Sequence, residues 1–415
     1  MITPYSGEYL ISPIALEMSM NYCSHKCAYC FANLNKPDRT FDFDAFVKQI
    51  RGAQTRKDLT SYFLKNKYPI LLSNKVDPFA TSNRYQTLSV AEILMTNGNP
   101  IAWQTKGGDA IVIQQVLDLI GTQRQHWYIS ISFMDDALRK KIEPGAPSIE
   151  SRFELAQHLI ESGQSVSIGL NPLISEWFSL EDLDLFMAKC NQIGITDIWA
   201  ETLHLNSKQE ANMSKREIEA MTPEILAMSK KRNYNPMHDY LFEVLQILTN
   251  NGFNPYTMQI PAKTLYHDAI NQVYGNKSLP TLQGFLNWCF DTVPDGDYVY
   301  FGEYMAYMED HMPEELMDAR HNDVDGYLYT HQRDLHKRWQ QNSGQKRIRT
   351  FRDLLTIFWD NPEAHKSLFS IPNFQLVATA DEQNNLLKVV DDEFMMPVAR
   401  FNHNLMTESV YYDFK

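Results

Sequence analysis

The chain has 415 residues, 44% of them hydrophobic and 21% charged, with a formal net charge of −13. Those proportions describe a folded protein rather than a disordered one, and the length calls for two domains or one large barrel with an extension. No run of about 18 uninterrupted apolar residues occurs, which counts against a membrane span, and the negative charge counts against a polyanionic partner.

The opening segment, "MITPYSGEYLISPIALEM", has no basic start and carries Glu8, so it does not read as a signal peptide. A cytoplasmic location is the expectation. Within it, "SPIALEMSM" reads as a buried strand that ends three residues before Cys23. Next comes "CSHKCAYC", which crowds three of the five cysteines, Cys23, Cys27 and Cys30, into eight residues. An odd and unevenly placed set of cysteines argues against a disulfide framework.

Structural zinc usually takes four ligands as two separated pairs. Here Cys190 and Cys289 stand alone, and His25 lies between two of the cysteines, where a tetrahedral wrap is cramped. A four-iron cluster fits better, because three thiolates can hold it and leave one iron open. A zinc knuckle or an inert thiol cluster is the competing reading.

Downstream, apolar runs recur about every 30 residues, the size of one strand–helix unit. They are 68–74, 100–106, 127–133, 165–174 and 195–205, with helical patterns at 42–66, 87–97, 109–120, 148–162 and 180–193. In the fourth helix, Ser148 is the expected N-cap and Gly163 the stop, while Ile149, Phe153, Ala156 and Ile160 share a face.

The C-x3-C-x-aromatic-C spacing, with Tyr29 as the aromatic, resembles the signature of radical S-adenosylmethionine enzymes. The resemblance implies a 4Fe-4S cluster on Cys23, Cys27 and Cys30, with S-adenosylmethionine chelating the fourth iron. It also implies an electron donor such as flavodoxin or ferredoxin. The expected fold is α/β, a partial (β/α)6 TIM-like barrel over residues 1–210. A largely helical extension over 211–415 would close the barrel mouth and contact substrate. In such a barrel, functional groups gather at the C-terminal ends of the strands. Ser73, Asn74 and Asp77 then stand where relatives hold the methionyl amino group, although the glycines of that motif are missing. Tyr29 and Asn171 join the expected cofactor site. Lys106 is expected to meet substrate. Ser130 and Ser132 share a strand face and are candidates to hold the ribose, or are plain strand serines. Arg152 opposes its helix dipole by about 0.3–1 kcal/mol. It is expected to fork onto the cofactor carboxylate, with a solvated surface arginine as the alternative.

The pieces "EPGAPSIESR", "ESGQ", "GLNPLI", "VDPF" and "QTKGG", within roughly 12–205, resemble the spore photoproduct lyase branch. That branch acts on thymine dimers in DNA, so damaged or modified pyrimidines are the implied substrate, and carbon–carbon lyase chemistry the implied reaction. One departure concerns the lyase cysteine that returns a hydrogen atom from near the end of strand four: here the run is "WYISISF". Cys289 is a candidate replacement, although it and Cys190 read more readily as buried apolar cysteines. From Arg333 to Arg352 there are seven Lys or Arg against one Asp. Arg333, Lys337, Arg338, Trp339 and Arg347 thus form a candidate strip for phosphates and unpaired bases, with a solvated helical face as the alternative. Two further readings compete: a radical enzyme for a peptide or small metabolite, and a non-catalytic metal protein that binds a partner.

Overall fold

The computed structural model describes residues 1–4, 14–20, 22–30, 32, 41–72, 76–203, 205, 207–229, 236–257, 271–275, 277, 279–280, 282–317, 351–359, 368–371, 373–381, 386–404 and 412–414. The chain forms two compact units. One comprises residues 1–2, 16–54 and 64–277, and the other residues 3–15, 55–63 and 278–415.

Seven parallel strands build the first unit: β1 (Leu16–Met18), β2 (Ile70–Leu72), β3 (Ile101–Thr105), β4 (His126–Ser130), β5 (Ser165–Leu170), β6 (Asp197–Ala200) and β7 (Asn254–Tyr256). Each pairs with the next in chain order. Helices intervene between the strands in chain order: α1 (Phe43–Gly52), α2 (Leu59–Lys65, most of it in the residues assigned to the other unit), α3 (Arg84–Asn97), α4 (Ala110–Ile120), α5 (Asp136–Ile142), α6 (Ile149–Glu161) and α7 (Leu180–Ile193). All six expected strands are present. β7 extends the sheet past residue 210, and its unit runs to Lys277. The single helix expected over 42–66 is two helices, because the Asp58 carboxylate accepts from Ser61 N at 2.9 Å and starts a second one.

Capping follows the sequence. Ser148 caps α6 by accepting from Ser151 N, and Ser179 forms a reciprocal capping box at α7. Register then sorts the strand side chains onto two faces. One face is apolar: Met18, Leu72, Trp103, Trp127 and Val166 lie side by side, as do Ile129, Ile168 and Ile198. Phe79, Trp103 and Trp127 stack there, the two indoles 4.8 Å apart. The opposite face carries Glu17, Gln104, His126, Tyr128, Ser130, Ser165, Ser167 and Trp199. A parallel sheet buried on both faces is ordinarily apolar on both. Here one side is buried yet polar.

The second unit contains α8 (Leu282–Thr292), α9 (Phe301–His311) and α10 (Phe351–Trp359). Beside these helices it holds a sheet that the expectation of a largely helical extension did not include. Its strands are β8 (Tyr298–Val299), β9 (Phe374–Ala380), β10 (Leu386–Lys388), β11 (Ala399–Phe401) and β12 (Tyr412–Phe414). Phe285 of α8 packs on Tyr304, Tyr307 and Phe374 at 5.0–6.2 Å between ring centres. Cys289 is fully buried on α8, as the apolar reading has it. Among the described residues no helix is long and apolar enough to cross a membrane.

His126 tests the polar face. Its ring is fully buried, with Nδ1 3.0 Å from Ser165 Oγ and Nε2 3.1 Å from Ser167 Oγ. Burial first, and the Arg124 charge second, push its pKa down to about 3. An unfolded histidine titrates near 6.5, so the stabilisation by the neutral ring is complete above about 6.5 and is lost as pH falls towards 3. The expected outcome is that His126→Asn lowers the urea midpoint at neutral pH and that its deficit narrows on acidification through this window. A constant deficit would contradict the assignment.

Candidate functional site

The cysteine loop leaves the C-terminal end of β1, and the segments after β2, β3 and β4 hold it. Three structural facts define the cysteines themselves. Cys23 and Cys27 are buried and Cys30 is half-buried. Burial first, then the Asp77 charge, pushes the Cys23 thiol up to about 12. Cys27 is pushed well above its ordinary value by burial and the Glu143 charge, which Lys106 partly offsets. The thiols also act on one another, Cys30 raising both of the others.

Two buried carboxylates clamp this loop. On one side Asp77 Oδ2 lies 3.1 Å from His25 Nε2. Asp77 is itself fixed by Thr105 Oγ1 at 2.8 Å, Lys106 N at 2.6 Å and Phe79 N at 2.9 Å. Burial works to raise its pKa, but His25 and these hydrogen bonds prevail and lower it. The other His25 nitrogen, Nδ1, is 2.9 Å from Gly145 O. Both ring nitrogens therefore face partners within the fold.

On the other side Glu143 is completely buried. Tyr29 donates its phenol to Oε1, Lys106 Nζ lies 3.0 Å from the same oxygen, and Arg152 Nη2 lies 2.5 Å from Oε2. Burial would raise the Glu143 pKa, yet Arg152, Lys106 and the two hydrogen bonds bring it down to about 2. The backbone closes the clamp, with Ala28 N donating to Ile142 O and Gly145 N to His25 O, both at 2.9 Å. Gly145 is required there: a Cβ would sit 2.3 Å from Ser24 O. From the far side Asn83 Nδ2 donates to Tyr22 O at 2.7 Å.

Most of the residues singled out from the sequence converge here. Lys106 Nζ also reaches Ser130 Oγ at 2.6 Å, and Ser130 Oγ donates to Asn171 O at 3.3 Å. Ser132 is 1% exposed, and its hydroxyl has no hydrogen-bond partner among the described residues. Arg152 is neither a surface residue nor turned to an external carboxylate. Its Nε and Nη1 donate to Pro147 O at 3.2 Å and Ser130 O at 2.9 Å, and its Nη2 is taken by Glu143. Glu143 was missed. It is quoted in "EPGAPSIESR", but no sequence periodicity links residues nine apart across a turn. Gly169 completes the polar face, for a Cβ there would meet the Tyr128 hydroxyl at 1.8 Å. Ser73, Asn74, Arg333, Lys337, Arg338, Trp339 and Arg347 lie outside the described residues. At the strip's end Arg352 Nε pairs with Glu309 at 2.8 Å.

Among the described residues no three His, Cys, Asp or Glu side chains converge as ligands of a single ion. A multi-iron cluster needs no such convergence, since each thiolate binds a different iron. Three mutually interacting thiols on one clamped loop, with a lysine nearby to offset negative charge, fit such a cluster.

No family model matches the sequence. An uncharacterized protein of Mycobacterium tuberculosis is 26% identical over 196 residues, which is 44% of this chain and 56% of that protein. The match thus spans little more than half of the relative's length. Among solved structures, a spore photoproduct lyase mutant with bound AdoMet and dinucleoside spore photoproduct superposes with a TM-score of 0.45 at 14% identity, over 59% of this chain and 76% of that one. Streptococcus suis SuiB bound to S-adenosylmethionine gives 0.40 at 12% identity, over 64% and 53%.

Removing Glu143 would strand the buried Arg152 cation. Glu143→Ala is expected to lose about 3–5 kcal/mol of unfolding free energy, and Glu143→Leu combined with Arg152→Met to recover most of it. Denaturant titration of the single and double variants checks this; a mild single variant would mean the clamp carries little.

Proposed function

We propose that the chain is a radical S-adenosylmethionine enzyme acting on a pyrimidine dimer or modified base in DNA. The observation that carries the reading is the position of Cys23, Cys27 and Cys30. They share one clamped loop at the C-terminal end of the first parallel strand, beside a buried polar sheet face, where barrel enzymes place their chemistry. When bound, the cluster and S-adenosylmethionine would supply a one-electron cleavage that yields an adenosyl radical.

The chain's own residues have separate tasks. Cys23, Cys27 and Cys30 would hold three irons of such a cluster as thiolates. Tyr29 and His25 fix the loop through Glu143 and Asp77. Ser132 offers the unsatisfied hydroxyl to the nucleoside part of the cofactor, and Lys106 and Ser130 line the same face. Burial of that face keeps water from a reactive intermediate. Damaged DNA as substrate is supported by the likeness of the 12–205 motifs to the spore photoproduct lyase branch, an associational warrant. A peptide or small metabolite is the rival substrate, favoured by the net charge of −13.

The test is anaerobic reconstitution with iron and sulfide, followed by dithionite and S-adenosylmethionine, with 5′-deoxyadenosine measured with and without ultraviolet-irradiated DNA. Cleavage that requires Cys27 (lost in Cys27→Ala) and rises only with irradiated DNA is expected. Cleavage indifferent to DNA would remove the substrate, and no cleavage with bound zinc would remove the enzyme.

A further inference from the structure

The charges around Glu143 do not balance. Two cations meet this one carboxylate, Arg152 at Oε2 and Lys106 at Oε1, with side-chain exposures of 0% and 14%. The other described partners of both side chains are neutral. Arg152 donates to the carbonyls of Pro147 and Ser130, and Lys106 Nζ donates to Ser130 Oγ at 2.6 Å. Asp136, whose charge also feels Arg152, is taken up by Arg139 at 2.8 Å. Among the described residues one positive charge is therefore left over beside Glu143, and an uncompensated charge is costly to bury.

This surplus lies against the cysteine loop. Lys106 Nζ is 5.6 Å from the ring centre of Tyr29, which stands between Cys27 and Cys30. Cys27 is itself buried. Among the charges that act on it, that of Lys106 favours the thiolate, and those of Glu143, Cys30 and Cys23 oppose it. Two of the three N–H bonds of the ammonium are engaged, by Glu143 and Ser130, which fixes the charge in place. Thiolates and the metal they would carry supply the negative charge that the two cations lack.

We propose that Lys106 sets the reduction potential of the metal centre on the cysteines, its ammonium stabilising the one-electron-reduced state. This rests on the radical S-adenosylmethionine reading. The step adds one electron, supplied by dithionite in the test, to an iron–sulfur cluster; no bond forms or breaks and no proton moves. Net charge around a cluster is one of the levers that fix its potential. A largely buried cation is screened little by salt, so its effect persists where that of a surface lysine fades.

The test uses the full chain reconstituted anaerobically with iron and sulfide, as wild type, Lys106→Met, Lys106→Gln and Lys106→Arg. Iron content and urea midpoint are measured first. The Gln variant, which keeps hydrogen-bonding capacity, carries the comparison if the Met variant takes up little iron. The reduced cluster is then followed by electron paramagnetic resonance during a dithionite titration without S-adenosylmethionine. At the wild-type midpoint the ratio of reduced to oxidised cluster is expected to fall about tenfold in the Met and Gln variants, equivalent to about 59 mV for one electron, and to stay within about twofold in Lys106→Arg. The difference is expected to persist at high salt. Equal midpoints in wild type and both neutral variants would overturn the proposal. So would equal midpoints together with weakened binding of S-adenosylmethionine, which would assign the ammonium to the cofactor. A chain that retains zinc and no iron would overturn the proposal and the radical reading together. A shifted midpoint in a chain that never cleaves S-adenosylmethionine would remove that reading and leave the proposal standing.

Discussion

A carboxylate with no solvent exposure accepts a phenol, an ammonium and a guanidinium at once, and the rest of the site is arranged around that fact. Glu143 is costly to bury and is repaid only because its partners saturate it. Its pKa near 2 keeps it charged under any working condition. Each partner comes from a different segment: Tyr29 from the cysteine loop, Lys106 from just beyond β3, Arg152 from the first turn of α6. The three segments therefore cannot drift independently. Asp77 repeats the arrangement on the other side through His25, and Lys106 joins the two by giving its backbone N–H to Asp77 and its side chain to Glu143. The proposed metal centre would gain from a loop shaped beforehand, since the ordering entropy would then be met by folding rather than by binding.

The sheet below the loop follows the same logic. Its apolar face is packed by stacked indoles and aliphatic side chains, which fixes the strands. That leaves the opposite face free to carry histidine, serines, tyrosine and acids without loss of register. Ser130 and Ser132 belong to that polar face, one engaged by Lys106 and the other with a hydroxyl that finds no partner among the described residues. The contrast between rigid apolar and organised polar sides is what a strand-end pocket needs.

Much of this was readable in the amino-acid order, for identifiable reasons. Strands and helices of the first unit announced themselves because short strand-like runs alternate with longer helical patterns at intervals of about 30 residues. Ser148 and Gly163 mark the ends of α6 by local chemistry alone. The three cysteines stand out because three thiols within eight residues form a local pattern. What stayed hidden depends on tertiary closure. Glu143 meets Tyr29 across 114 residues, and Arg152, expected to face a ligand, turns inward because that carboxylate is there. The break in the 42–66 helix needed the side chain of Asp58 to compete with helix continuation, which periodicity does not register. The second unit's sheet was missed because its strands are short and alternate poorly with turn signals, while β7 was missed because "NPY" is too brief to stand out.

The central claim is that three thiolates leave one metal position open to a sulfonium ligand. Mössbauer spectroscopy of the iron-loaded chain, before and after S-adenosylmethionine, addresses it most directly. The expected result is a four-iron cluster in which the signal of a single iron shifts on addition of S-adenosylmethionine. Spectra identical with and without the ligand, or a chain that retains zinc in place of iron, would contradict it.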